Sequence, residues 1–213
     1  MNFVMSYSCG KDSTLALHKM LEEDHRCVGL LVMVNEEADR VFFHGADMDM
    51  LQRYSEALEL PLIACSSCGA EYHLAFEEGI RRAKSMGAEA VCFGDIDLDA
   101  NRAWGEERCR NAGLPAVYPL WQRSRRENVY ELVELGYRCL IKTINQTLLP
   151  KDLLGRCIDL EAIGIMEERG IDICGENGEY HTLLIDGPVF RNPLQFEVVE
   201  VLELGDFALI DVR

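Results

Sequence analysis

The densest group of phosphate-handling residue types lies near the start of the chain, in Tyr-Ser-Cys-Gly-Lys-Asp-Ser-Thr-Leu-Ala-Leu, residues 7–17. Ser6, Ser8, Gly10, Lys11, Asp12, Ser13 and Thr14 crowd the junction between a short apolar run, Phe3-Val4-Met5, and a helical pattern. Unpaired backbone N–H groups, small hydroxyls and the helix dipole at such a junction suit an anion. A Walker-type loop is excluded. It needs a Gly four residues removed from the Gly-Lys pair and a Ser or Thr directly after the Lys, and those positions hold Met5 and Asp12. Capping of the following helix by Asp12 or Ser13 would explain the same residues without a ligand. Spacing alone leaves both readings open.

Three other stretches carry groups that could do chemistry. Residues 175–182, Gly-Glu-Asn-Gly-Glu-Tyr-His-Thr, gather Glu176, Glu179 and His181 around Asn177-Gly178. An Asn-Gly pair between two strand-like runs predicts a hairpin, here with more ionisable groups than a turn requires. Asp95 through Glu106 nearly matches a calcium EF-hand loop, but Ala100 stands where the sharp turn needs Gly, and Ala90–Phe93 ahead reads as a buried strand. Asp97 and Asp99 are therefore expected in an exposed acidic loop. Cys65-Ser66-Ser67-Cys68 has redox or metal spacing. A single CxxC with no second pair reads instead as core or strand-end cysteines.

The elements that position these residues follow from periodicity. Strand-like runs at Phe3–Met5, Cys27–Val34, Leu62–Cys65, Ala90–Phe93, Ala116–Leu120 and Arg138–Ile144 alternate with helix-period segments, which predicts a parallel sheet covered on both faces. Leu17, Met20 and Leu21 share one helical face; so do Met48, Leu51, Ser55 and Leu58, and again Phe76, Ile80 and Ala83. After about Pro150 one more helix, with Ile158, Ala162, Ile165 and Met166 on a face, gives way to a β-rich end. No repeat or Pro/Ser-rich linker interrupts the chain, so one compact body with a cleft is expected.

Composition narrows the function classes. The 213 residues, 48% hydrophobic, supply a core. The 21 Lys and Arg stand against 37 Asp and Glu, a formal net charge of -16, which repels nucleic acid and anionic membranes. The most basic stretch, Arg123 to Arg126, reads as a solvated loop entering the next helix. Nine cysteines scattered through strand-like runs, with no secretory signal, fit a reducing cytoplasm. No apolar run approaches the roughly 20 residues that span a bilayer.

Ser8-Cys9-Gly10-Lys11-Asp12-Ser13 resembles the SGGKDS pyrophosphatase loop of N-type ATP pyrophosphatases. Within that superfamily the chain resembles the diphthine–ammonia ligase family, through Phe43-His44, Phe93-Gly94-Asp95-Ile96 with Arg102 and Trp104, Pro119-Leu120-Trp121, and Cys174-Gly175-Glu176 through Gly187-Pro188. The resemblance implies a Rossmann-like (HUP-type) α/β domain over residues 1–122, followed by a substrate-binding α+β part over 123–213. It implies ATP and Mg²⁺: Lys11 and the loop N–H groups on the departing pyrophosphate, Gly94 and Asp95 beside the nucleotide, and Asp12 and Asp95 as metal ligands.

The implied reaction is attack of an acceptor carboxylate on the α-phosphate of ATP, then displacement of AMP by ammonia. Glu176, Asn177, Gly178, Glu179, His181 and Thr182 would line the acceptor pocket, with His44, Arg102 and Trp104 binding substrate. Proton transfer would fall to His181. The acceptor would be a modified protein side chain or a small molecule, with no DNA or membrane partner; a homodimer is open to it. No Cys follows Met1 and the length leaves no room for a glutaminase, so free ammonia is the expected nitrogen source. The chain departs from the family at Cys9 (usually Gly), Asn177 (usually Gly) and His181 (usually Glu). The Glu-Asn-Gly-Glu-aromatic-His-Thr form resembles a subgroup suspected of acting on other small carboxylates, in cobalamin salvage. A tRNA-modifying adenylyltransferase and a non-catalytic ATP- or AMP-binding protein are the rival readings.

Overall fold

The structure, a computed structural model, describes residues 1–37, 40–41 and 46–213. Strands β1 (Asn2–Ser6), β2 (Arg26–Asn35), β4 (Leu62–Ser67), β5 (Ala90–Cys92) and β6 (Ala116–Val117) pair in parallel in the order β4-β2-β1-β5-β6. The short β3 (Arg40–Val41) pairs antiparallel with the end of β2. Counting only the parallel strands in chain order gives 3-2-1-4-5, the doubly wound Rossmann-like arrangement, whose order reverses between β1 and β5. Ligands of such sheets lie outside the carboxyl ends of the strands at that reversal.

Alternation along β1 sends Phe3 and Met5 to one core and Val4 to the other, as expected for a strand covered on both faces. Helices α3 (Tyr72–Ser85) and α4 (Asp99–Ala112) close one face, with Phe76, Ile80 and Ala83 buried. On the other face lie α1 (Lys11–Glu22) and α2 (Met48–Leu58). α1 is buried nearly all round, and Leu21, expected inside, is 37% exposed. In α2 the buried face is Met50, Leu51, Tyr54, Ala57 and Leu58, shifted from the expected Met48 and Ser55 because Tyr54 sends its hydroxyl to the Leu184 carbonyl at 2.6 Å.

Two strands differ from expectation. The run Ala116–Leu120 stops as a strand at Val117. Pro119 has no N–H for a ladder, and Trp121 donates back to the Tyr118 carbonyl at 3.1 Å, turning the chain. The run Arg138–Ile144 becomes β7 (Arg138–Asn145), which leaves the parallel sheet altogether. It sits between β8 (Tyr180–Asp186) and β10 (Phe207–Val212) in a second, antiparallel sheet ordered β8-β7-β10-β9, with β9 (Val198–Leu204) at its edge. Alternating strand and helix signals show that a strand exists, not which strand it pairs with.

Helices α5 (Arg125–Glu134) and α6 (Leu160–Glu168) connect into this second sheet. Its buried residues Leu140, Ile141, Leu183, Ala208 and Ile210 belong to the same hydrophobic cluster as Phe3, Met5 and Leu17. At roughly 1.5–3 kcal/mol for each fully buried Leu, Ile or Phe, that continuous core holds the two sheets as one body. All nine cysteines are free. Among the described residues no helix is long and apolar enough to cross a membrane.

Candidate functional site

β1 ends at Ser6, and the next residues wind directly into α1. Cys9 takes a left-handed conformation, φ +68°, which costs an L residue with a Cβ about 1–2 kcal/mol. The surroundings hold it there: its side chain is fully buried and its carbonyl accepts the Leu184 N–H at 2.9 Å from β8. The N-cap of α1 is Gly10, with no side-chain cap, so the capping expectation for Asp12 and Ser13 is corrected. Ser13 instead stitches the loop to itself, its hydroxyl 3.1 Å from both the Ser8 hydroxyl and the Gly10 carbonyl. Thr14 does the same, bonding the Gly10 carbonyl at 3.0 Å and the Tyr7 hydroxyl at 3.1 Å.

Gly94, just beyond β5, packs against this turn. A Cβ there would stand 2.7 Å from the Ser13 nitrogen and 2.8 Å from the Asp12 carbonyl carbon. Only glycine lets the start of α1 approach the β5 end so closely.

Lys11 is buried and its ammonium lies 2.5 Å from Asp12 Oδ2 and 3.7 Å from Glu176 Oε1. Burial works against its charge, but Asp12, Cys174, Tyr180 and Glu176 outweigh it and hold Lys11 well above the ordinary lysine range. Cys174 donates its thiol toward Asp12 Oδ1 at 3.8 Å across 162 positions of sequence. Donor atoms of Asp12, Cys174 and Glu176 all lie within 4.8 Å of one another. Burial, aided by Asp12, lifts Glu176 to about 7, although Lys11 and Arg125 pull the other way. His181 is lowered, first by burial and then by Lys11 and Lys142, so it is a neutral imidazole near pH 7. Asp95 is raised by burial, with the Asn101 side chain opposing and Asp12 reinforcing the shift.

These groups surround two adjoining cavities. One, about 520 Å³, lies outside the ends of β1, β4 and β5, walled by Tyr72, Phe76, Phe93 and Trp104 with Ser6 and Asp95 at its polar end. The other, about 390 Å³, is walled by Lys11, Asp12, Glu176, Tyr180, His181 and Thr182. Asn101 lines both. The Lys11 N–H donates to Thr182 Oγ1 at 3.2 Å, tying the start of α1 to β8.

Not every expected residue is drawn in. Glu179 is buried, and both its oxygens are engaged by Asn177, through the backbone N–H and the side-chain amide at 3.0 Å each. It fastens a turn and lines neither cavity. That turn is not the expected hairpin, since no strand precedes it and the chain from α6 to β8 is irregular between residues 169 and 179. Arg102 also lines neither cavity; its guanidinium lies 4.7 Å from the Trp121 ring centre and pairs with Glu106 at 2.8 Å. His44 lies outside the described residues. The basic run is solvated only in part: Arg126 is exposed in its pair with Glu167, whereas half-buried Arg123 pairs with Glu131 and half-buried Arg125 with Asp97 and Asp172, and Arg125 already opens α5. Asp97 and Asp99 are both exposed, as expected, with Asp97 paired to Arg125 and Asp99 opening α4. Sequence reasoning passed over Cys174, Tyr180 and Asn101. The first two adjoin the Gly-Glu and Glu-His positions of the motif; nothing in the spacing marks Asn101.

Residues 1–116 match the family model described as "Diphthamide synthase N-terminal domain", and residues 124–209 the one described as "Diphthamide synthase C-terminal domain". Similar curated proteins include "Diphthine--ammonia ligase" of Danio rerio, 25% identical over all of this chain and 92% of that one. The human protein of the same name is 24% identical over 92% of this chain and 82% of its own. The Schizosaccharomyces pombe protein is 28% identical over 92% of this chain but only 36% of its own length. A solved Methanocaldococcus jannaschii structure, titled a predicted subunit of tRNA methyltransferase, aligns at 11% identity and TM-score 0.47 over 91% of this chain and all of that one.

Proposed function

Because this chain belongs to the diphthamide synthase family, we propose that it is an ATP-dependent ligase that activates an acceptor carboxylate as its adenylate and converts it to an amide with ammonia. The balance is a carboxylate plus ATP giving acyl-AMP and pyrophosphate, then acyl-AMP plus ammonia giving amide, AMP and a proton. The supporting observation is the pair of cavities meeting at Asn101, one aromatic and one ionisable, with Lys11 and the start of α1 in the wall of the second. The division at residues 122 and 123 belongs to the same reading, with nucleotide handling on one side and acceptor handling on the other.

The chain's own residues take these roles. Tyr72, Phe76, Phe93 and Trp104 offer flat apolar faces to an adenine. The N-terminus of α1, to which Gly10 adds no side-chain cap, and the Lys11 ammonium would meet the phosphates, where leaving negative charge develops. Asp12 and Asp95 are hard oxygen donors suited to magnesium alongside substrate phosphates, whereas the Cys174 thiol is too soft to prefer it. Bound there, magnesium would neutralise charge on the phosphates. Glu176, at about 7, and neutral His181 are both matched to removing a proton from the attacking nitrogen near neutral pH.

The acceptor is read as a diphthine-type side chain, after the relatives' name. A second acceptor, a small free carboxylic acid, is favoured by His181 standing where the resemblance calls for Glu. Incubation with ATP, Mg²⁺, ammonium and either a diphthine-bearing protein or candidate small acids decides between them. AMP and pyrophosphate in equal amounts, with a carboxyl-to-amide mass change on one acceptor, is the expected result. ATP bound with no acceptor-dependent pyrophosphate would instead mark a nucleotide sensor. The tRNA reading is opposed by the net charge of -16 and by acid partners on Arg123, Arg125 and Arg126.

A further inference from the structure

Arg125, the first residue of α5, reaches two segments far apart in sequence. Its Nε and Nη2 donate to the two oxygens of Asp97 at 2.6 and 2.7 Å, a bidentate fork. Its Nη1 donates to Asp172 Oδ2 at 2.5 Å. Asp97 follows β5 and the Gly94-Asp95 corner, and its neighbour Ile96 is buried with its carbonyl held by the Gln122 N–H at 2.7 Å. Asp172 belongs to the irregular chain between α6 and β8. Its second oxygen, Oδ1, accepts the Cys174 N–H at 2.9 Å, and two residues further Glu176 meets Lys11.

We propose that Arg125 is a positioning residue that clamps the loop bearing Cys174 and Glu176 against the nucleotide edge of the parallel sheet. The loop has no ladder of its own through residues 171–179; buried Ile173 and Cys174 and the Tyr180 hydroxyl on the Ile173 carbonyl anchor its middle, and side-chain fasteners hold its two ends. Glu179 closes the far end upon Asn177. Arg125 closes the near end, and it is the fastener that reaches the segment after β5. A planar guanidinium with donors in a fixed fork can hold two carboxylates at once; a lysine ammonium, a single point charge on a flexible stem, cannot reproduce that geometry.

The effect on turnover rests on the function proposed above; the effect on the loop does not. Amide hydrogen exchange on the full chain therefore accompanies kinetics of acceptor-dependent pyrophosphate release. In Arg125→Ala the amides of residues 171–178 exchange about tenfold faster, while those of β1, β2 and β5 keep their wild-type protection. The KM for ATP stays within about twofold and kcat falls about tenfold, a split that general destabilisation would not produce. Arg125→Lys recovers part of both losses, and Asp172→Asn reproduces the faster loop exchange. Wild-type exchange in the loop of Arg125→Ala overturns the proposal, as does loosening of β1, β2 and β5 to the same degree. If the wild-type protein turns over no acceptor, the function fails while the exchange measurement still decides the clamp.

Discussion

The turn after β1 and the loop before β8 face each other across one cavity, yet they are held by different means. The first is set chiefly by backbone, a strand end, a left-handed Cys9 and Gly94 pressed against Ser13, and is stitched by the Ser13, Thr14 and Thr182 hydroxyls. The second is irregular; Arg125 on Asp172 and Glu179 on Asn177 hold its ends, and the Tyr180 hydroxyl on the Ile173 carbonyl with buried Ile173 and Cys174 hold its middle. A backbone cradle suits a constant partner such as a phosphate, because its donors do not depend on side-chain identity. A loop held by side chains can change its occupant by substitution; the departure at Asn177 falls there and that at His181 on β8 just beyond it, while Cys9 departs within the first turn.

The sharpest way to break this contrast is Asp12→Ala. On the proposed roles it lowers pyrophosphate release about 100-fold or more, the scale of losing a preorganised group at a developing charge. Equal release by variant and wild type would remove the turn after β1 from the chemistry. Next, Glu176→Gln should slow amide formation roughly 10- to 100-fold, with ATP affinity unchanged. Below about 7 Glu176 holds its proton and cannot accept another, so wild-type amide formation rises as pH passes through about 7. Measured at a fixed concentration of free ammonia, whose share of total ammonium itself rises with pH, the Gln variant loses that limb; a limb that persists in it assigns the titration to another group.

Smaller effects test the backbone side. Gly94→Ala forces a Cβ into the space of Ser13 and is expected to cost about 1–3 kcal/mol of stability. ATP affinity should fall with it about tenfold, measured by calorimetry. Gly178→Ala, open to space but at φ +84°, should cost only about 1 kcal/mol and leave ATP affinity alone. If both alanines weaken ATP equally, the two loops do not differ in the way described. The smallest change is Cys9→Gly. Relief of the left-handed cost is opposed by the entropy of glycine and by the cavity left where the fully buried Cys9 side chain packs, so thermal stability should fall by about 1 kcal/mol or less with activity kept.

Part of this contrast is legible in the amino-acid sequence. Phe3-Val4-Met5 followed by Ser, Gly, Lys and Asp marks a strand-to-helix turn that suits an anion or a cap, and the missing Gly and hydroxyl exclude a Walker loop. Buried Phe76, Ile80 and Ala83 follow their predicted helical face. Legibility fails where a residue's role depends on a distant partner. Arg125 sits in a basic run and reads as solvated, yet its carboxylates arrive from positions 28 and 47 residues away.

What the sequence by itself determined is local: where strands and helices begin, the anion-suited turn at Gly10-Lys11, the acidic balance that disfavours nucleic acid. Periodicity and turn chemistry are set by interactions a few residues apart, so they are written in short stretches. Only the tertiary structure decided that β7 leaves the parallel sheet, that Cys174 and Glu176 meet Asp12 and Lys11, and that Asn101 stands between two cavities. Those pairings follow from burying one continuous core, and core packing selects partners across the whole chain rather than along it.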